Sequence, residues 1–120
     1  MTADLSALAG LDYCYLTTTG RRTGTPHTIE IWFALDGAKL YLLSGGGDGS
    51  DWVKNLRRTP AVSVRLGDQR FDGRASVVED GDDDERARRL LFEKYQAGYS
   101  GDLTEWRQRA LPVVIDLGEN

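Results

Sequence analysis

Residues 17–26, TTTGRRTGTP, follow a run of tyrosine, cysteine, leucine and threonine and contain the first turn of the chain. Gly20 and Gly24 allow the backbone to approach a bound group closely. Threonine hydroxyls and the planar cations of Arg21 and Arg22 add hydrogen-bond donors suited to phosphate. The composition predicts an anion site on a hairpin. A plain hairpin with two solvated arginines has the same composition, and this alternative stays open at the level of residues alone.

Strands are expected on both sides of this turn. Residues 12–19 are rich in the tyrosine and threonine that favour a pleated backbone. Across residues 27–35 two sets of side chains alternate with the two-residue period of a strand that has two different faces. Asp36 and Gly37 form a tight-turn signal, and residues 39–44 resume a β-rich run. We therefore expect an antiparallel hairpin from these last two strands.

The rest of the chain alternates short strands with two main helices. A helix is expected to begin near Asp51 and to stop at Pro60, and a longer one to begin at the acidic run after residue 81. Further predicted elements are strands at residues 61–66, 70–79 and 111–117 and a short helix at 103–110; the strand at 70–79 is more polar and is placed nearer an edge. About six strands linked mainly by hairpins predict a mainly β fold, a small antiparallel barrel with flanking helices, as one domain over residues 1–120.

Composition excludes several classes of function. A net charge of -4 and a pI of about 4.9 argue against nucleic-acid or anionic-membrane binding driven by overall charge. The single cysteine, Cys14, excludes an intrachain disulfide and a multi-cysteine zinc site, and we expect it to be a small buried side chain. No apolar run approaches the roughly 20 residues of a membrane span, and the N-terminal residues carry acids where a signal peptide needs positive charge. These features favour a cytoplasmic protein without stable membrane insertion.

The sequence contains few candidate catalytic residues. One histidine, His27, leaves no histidine cluster for a metal, so we expect no metal site. The G-x-S-x-G elbow of serine hydrolases is absent from the sequence. Glu30 and Asp36 have no supporting signature and are interpreted as solvated acids. A chain with so few acids, bases and nucleophiles is expected to take its reactivity from a cofactor.

A second glycine-rich segment, residues 44–56, SGGGDGSDWVKNL, places flexible backbone directly before a helix N-terminus. Free amides and the helix dipole favour negative charge there, and Lys54, Asn55 and Arg57 add donors. The alternative is a plain glycine-rich connection, in which Trp52 is a core anchor rather than a ligand contact. Neither segment alone decides between a binding site and a simple loop.

Taken together, the two segments resemble a known family. Residues 15–64, in the order TTTGRRTG, LDG, SGGG and DWVKNL before a proline, are similar to the deazaflavin-dependent nitroreductase family. The resemblance implies a split β-barrel of the FMN-binding, pyridoxamine-phosphate-oxidase-like type. It also implies coenzyme F420 as cofactor, a deazaflavin with a phosphodiester-linked lactyl oligoglutamate tail. Its reduced form delivers hydride to small unsaturated, quinone or nitroaromatic acceptors.

Carried over residue by residue, the resemblance implies that Arg22 meets the coenzyme phosphate, with Arg21 as its neighbour. It implies that Asn55 helps to position the coenzyme and that Tyr99, with Tyr95 as the alternative, orients or protonates the acceptor. The remaining implied coenzyme positions are Trp32, Leu42, Leu43, Ser44 and Trp52, and Ser44 is also a candidate catalytic residue.

Two positions depart from the family pattern. His27 and Gly45 stand where family members have a basic residue, so positive charge is reduced along the expected tail site. Both are retained as candidate coenzyme-binding positions, since His27 could still donate a hydrogen bond. The departures keep two other functions open: an FMN-binding oxidoreductase on the same barrel, and a non-catalytic module for a fatty acid or another hydrophobic ligand. The expected partner is a small-molecule substrate, and the protein is expected to be a monomer or a homodimer.

Overall fold

Seven strands form one antiparallel sheet in the computed structural model, which describes residues 5–117. The strands are β1 Cys14–Thr19, β2 Pro26–Ile31, β3 Ala34–Asp36, β4 Lys39–Ser44, β5 Ala61–Leu66, β6 Gln69–Val77 and β7 Leu111–Leu117. The helices are α1 Asp51–Arg58, α2 Asp82–Gln96 and α3 Thr104–Arg109, with short 3-10 turns at Leu5–Leu8 and Gly47–Gly49. The sheet order is β2-β1-β5-β6-β7-β4-β3, so β2 and β3 are its edges.

The predicted single strand at residues 27–35 is wrong, because the chain divides into β2 and β3 at Trp32 and Phe33. The backbone N–H and C=O of Phe33 form hydrogen bonds with side chains of α2 instead of with a neighbouring strand. Its N–H donates to the hydroxyl of Tyr95 over 3.0 Å, and its carbonyl accepts from the ammonium of Lys94 over 3.0 Å. The predicted hairpin with β4 is confirmed for β3, where Leu35 pairs with Leu40.

The predicted edge position of residues 70–79 is also wrong. β6 lies at the middle of the sheet and pairs with β5 and β7. Its polar side chains alternate with buried Phe71 and Ala75. Gly73 is required by close packing, since a Cβ there would lie 2.6 Å from Cγ2 of Ile115. The alternating polar side chains that suggested an edge strand thus lie on the one face of this central strand that is exposed to solvent.

Apolar side chains form two cores on opposite faces of the sheet. One fills the concave interior and includes Leu16, Val64 and Ile115. The other lies beneath α2 and includes Tyr41 and Leu91. β4 contributes to both cores, which is why its residues are buried on both faces. Because β4 is packed on both faces, its C-terminal end has a fixed position. Gly45, the first residue of the glycine run, follows directly after it.

α2 fastens the segment before β1 and the break between β2 and β3. The ammonium of Lys94 donates to the carbonyls of Leu11 (2.8 Å) and Phe33 and lies 3.7 Å above the centre of the Phe33 ring. Burial lowers the pKa of Lys94 to about 8 and raises the pKa of Tyr95 to about 12. Cys14 is fully buried, as predicted, and burial raises the pKa of its thiol to about 12.

Candidate functional site

Two cavities open along the β2 edge of the sheet and meet at Trp52, which lines both. We name them by their walls. The aromatic cavity, about 600 Å³, is lined by Tyr13, Glu30, Ile31, Trp32, Leu43, Ser44, Gly45, Trp52, Tyr99, Asp102, Leu103 and Trp106. The cationic cavity, about 620 Å³, is lined by Thr18, Gly20, Arg21, Arg22, Thr23, His27, Thr28, Ile29, Asp51, Trp52 and Asn55. Consecutive β2 residues line one and then the other, so the two cavities are neighbours along this strand, and we refer to them together as the groove.

A hydrogen-bonded knot between the first turn and α1 shapes the cationic cavity. Asn55 is only 4% exposed, and its Oδ1 accepts from the backbone N–H of Arg21 (3.2 Å) and from Nη1 of the same arginine (2.9 Å). Its Nδ2 donates to Oγ1 of buried Thr18 over 3.2 Å. Nη2 of Arg21 also donates to Asp51 over 3.2 Å. Arg21 is therefore held as part of the wall, with much of its charge already paired.

In the first turn, side chains rather than the glycine N–H groups are available to bind a ligand. The Gly20 N–H donates to the Thr25 carbonyl over 2.8 Å, and the Gly24 N–H donates to the Gly20 carbonyl over 2.9 Å. Gly24 has φ +78°, a conformation that glycine adopts readily. Arg22 is exposed in the cavity, and none of residues 5–117 forms an ion pair or hydrogen bond with its guanidinium. Arg22 is thus the cation available to an anionic ligand.

His27 packs closely against the same turn. A Cβ at Gly20 would lie 2.8 Å from Nε2 of His27 and 2.9 Å from the backbone oxygen of Thr25; the backbone contact cannot easily give way, so glycine is needed here. The imidazole lines the cationic cavity at its β2 wall. Its predicted role as a coenzyme contact stays a prediction; His27 and Arg22 both line this cavity.

Trp32 is the centre of the aromatic cavity. One face of its ring stacks on Tyr95, with centroids 4.2 Å apart and planes 2° apart. Trp106 and Tyr99 meet it edge-on, at 5.5 Å and 89° and at 5.8 Å and 84° respectively. Since Tyr95 is tied to the Phe33 backbone, the Trp32 ring is held in place from below. Tyr99 is 47% exposed and keeps access to the cavity.

The end of β4 forms the opposite wall. Oγ of Ser44 donates to the Gly47 carbonyl over 3.0 Å and lies 2.9 Å from Oγ of Ser50, so its hydroxyl shapes the glycine-rich loop. Leu43 and Gly45 line the aromatic cavity. Leu42 lies elsewhere: it is fully buried in the interior core and lines neither cavity.

The structure therefore brings most of the predicted residues into one groove. Sequence reasoning missed Tyr13 and Trp106, which line the aromatic cavity, and Thr18, whose hydroxyl is tied to Asn55. Tyr13 could have been suspected, because alternation with Cys14 places its side chain on the opposite face of the strand run; in the structure it is 46% exposed. Nothing in the sequence near Trp106 indicated that its ring faces β4. Among residues 5–117, no cluster of three or more histidine, cysteine or acidic side chains could hold a metal ion.

Residues 4–118 match the family described as F420H(2)-dependent quinone reductase. The chain belongs to this family. It is 32% identical over 103 residues to an F420H(2)-dependent quinone reductase of Mycobacterium tuberculosis strain H37Rv, with 83% of this chain and 69% of the relative covered. Membership confirms the predicted oxidoreductase family and its coenzyme, F420.

Solved structures confirm the predicted fold. An F420-H2 dependent reductase, FDR-A, superposes with a TM-score of 0.71 at 24% identity and covers 89% of this chain and 94% of its own. A FAD-binding protein from Mesorhizobium loti superposes with a TM-score of 0.70 at 18% identity and covers 95% and 84%. The curled antiparallel sheet is thus that of the split-barrel flavin and deazaflavin proteins. Within residues 5–117, no helix has the length and apolar composition needed to cross a membrane.

Proposed function

We propose that this protein binds reduced coenzyme F420 along the groove and catalyses hydride transfer to a quinone. The observation that carries the proposal is the union of two unlike cavities at Trp52. One has an available cation, and the other is walled by aromatic rings. A coenzyme with a planar ring system and a phosphate-linked tail needs both surfaces in one connected groove.

The residues present fit such a coenzyme. The phosphate and the acidic tail fit the cationic cavity, where the guanidinium of Arg22 can donate two parallel hydrogen bonds to phosphate. The planar ring fits the aromatic cavity between β4 and β2, along Leu43 and Gly45. Gly45 has no side chain, so the part of the cavity between the coenzyme ring and Trp106 is left to the acceptor; a Cβ at residue 45 would lie 3.8 Å from the Trp106 ring.

When bound, the coenzyme supplies the hydride, and the protein supplies position and surroundings. Arg22 holds the tail, while the knot between Arg21 and Asn55 fixes the turn that presents it. Trp52 stands where the two cavities meet and orients the bound molecule. The aromatic walls around Trp32 give the place of transfer a largely apolar lining.

Reduction of a quinone also needs a proton. Tyr13 and Tyr99 both line the aromatic cavity and are exposed, and we assign the role to Tyr99 because its ring also meets Trp32 edge-on. Tyr95 is unsuitable, because its hydroxyl donates toward the carbonyls of Asp12 (2.8 Å) and Phe33 (3.1 Å). Burial also raises its pKa to about 12. The Ser44 hydroxyl is committed to the Gly47 carbonyl, which supports a role in shaping the loop rather than in proton transfer.

Titration with F420 and, separately, with flavin mononucleotide tests the proposal, with binding followed by calorimetry. We expect F420 to bind and Arg22→Ala to weaken it by about 1.5 to 3 kcal/mol, the value of a charge-assisted contact. Arg74→Ala is the matched control, since Arg74 is exposed on β6 and lines neither cavity. An F420 dissociation constant unchanged in Arg22→Ala would remove Arg22 from the site. Binding of the flavin alone would refute F420 as the coenzyme of this groove.

A further inference from the structure

The aromatic cavity has a planar floor and upright walls. Trp32 is backed by Tyr95 on one face, and Trp106 and Tyr99 both stand nearly perpendicular to it within the same cavity. A flat ring system can contact such a surface with its face or its edge at little cost in conformational entropy. The slot therefore favours flat, conjugated molecules over flexible chains.

Trp106 is held in this slot by several contacts of α3. A guanidinium nitrogen of Arg88 donates to the carbonyls of Arg107 (2.5 Å) and Gln108 (3.0 Å), which lie next to Trp106 in the helix. The helix start is tied by the Leu103 N–H, which donates to Oε1 of Gln96 over 2.7 Å. The indole itself packs against the core beneath α2. Its ring position is thus set before any ligand arrives.

The indole N–H of Trp106 is the single hydrogen-bond donor of a ring that lines the aromatic cavity. None of residues 5–117 accepts a hydrogen bond from it, yet within those residues no buried side-chain nitrogen or oxygen is left unpaired. The N–H must therefore be accessible to solvent. It lies beside the end of β4, where Nε1 is 3.9 Å from the position that a Cβ of residue 45 would take. Gly45 leaves the space in front of the indole open.

We propose that the indole N–H of Trp106 binds a carbonyl oxygen of the acceptor and so selects flat molecules with such an oxygen. The inference deepens the proposed function, since it names Trp106 as the residue that distinguishes a quinone from an oxygen-free ring of the same shape. Indole is a donor only, so an acceptor oxygen satisfies it and a donor group does not. A site built around an unpaired donor rejects the analogue that lacks the acceptor, because the donor is then buried without a partner.

Binding to the protein without coenzyme tests this directly. Calorimetry with menadione, a small naphthoquinone, is compared with 2-methylnaphthalene, which has the same rings and methyl group but no oxygen. Trp106→Phe keeps an aromatic ring and removes the N–H, and Trp106→His restores a ring N–H. We expect Trp106→Phe to weaken menadione roughly five- to tenfold, the effect of one neutral hydrogen bond. We also expect 2-methylnaphthalene to bind at least as tightly to Trp106→Phe as to wild type, because the variant has no unpaired N–H to bury, and Trp106→His to recover part of the menadione affinity.

Equal menadione affinity in wild type and Trp106→Phe would overturn the proposal. So would an equal loss for both ligands, since that result assigns only a packing role to the ring. Steady-state kinetics add a second readout: the KM for menadione should rise while the dissociation constant of F420 stays unchanged. A loss of F420 affinity instead would place Trp106 in the coenzyme site and refute the acceptor role. Failure of F420 to bind wild-type protein would refute the proposed function without affecting the menadione comparison.

Discussion

Asn55→Ala should destabilise the protein through the knot that joins the first turn to α1. The substitution removes an acceptor of two hydrogen bonds from Arg21 and the donor to Thr18. Asn55 and Thr18 are 4% and 2% exposed, so water replaces these partners poorly. At about 0.7 to 1.3 kcal/mol for each of the three lost bonds, we expect a loss of about 2 to 4 kcal/mol in the free energy of unfolding. With an unfolding entropy of about 2.1 cal/mol/K per residue, this lowers Tm by roughly 8 to 16 °C.

Urea denaturation followed by tryptophan fluorescence measures the free energy. Asn55→Asp is a graded variant: its carboxylate still accepts both bonds from Arg21 but cannot donate to Thr18, so we expect a smaller loss. Lys54→Ala is the matched control, because Lys54 is exposed on the same helix and lines neither cavity. A loss below about 0.5 kcal/mol in Asn55→Ala, within the usual range of surface substitutions, would refute the structural role of the knot.

Two further predictions concern the interior. Burial raises the pKa of the Cys14 thiol from 9.0 to about 12, so between these values the unfolded chain binds fewer protons than the native one, and stability falls as pH rises. Between pH 8 and pH 11, the free energy of unfolding should therefore fall by about 2.5 kcal/mol less in Cys14→Ala than in wild type. Urea midpoints at the two pH values measure this difference. Burial lowers the pKa of Lys94 to about 8, so the contribution of Lys94 to stability rises with pH, and it does so in both proteins. An identical pH profile in both would contradict the buried thiol's contribution. Gly73→Val should lower Tm severely, because its Cβ would lie 2.6 Å from Cγ2 of Ile115 and 2.9 Å from a backbone oxygen, whereas Gly98→Ala, with no atom within 4 Å of the new Cβ, should have little effect. A thermal melt in which both variants match wild type would show that β6 and β7 can separate without cost.

Local chemistry made much of the fold predictable. Turn signals and alternation placed β4, β5 and β7 at their observed bounds, and the acidic run placed the start of α2. The division into β2 and β3 was not predictable, because it depends on α2 side chains that are 61 and 62 residues away and replace strand pairing at Phe33. The central place of β6 was missed for a similar reason: a strand with one solvated face has the same pattern at an edge or in the middle of a sheet.

The order of residues by itself determined the family, since the turn at residues 17–26 and the glycine-rich segment before α1 carry the chemistry of coenzyme binding in short, contiguous stretches. Only the tertiary structure decided which of those residues are available. Packing of α1 against the first turn pairs Arg21 with Asn55, whereas Arg22 has no partner among residues 5–117 and faces the cationic cavity. Packing of α3 against α2 turns Trp106 toward Gly45. Contacts between residues distant in the chain depend on how whole elements pack, and no local pattern in a sequence reports them.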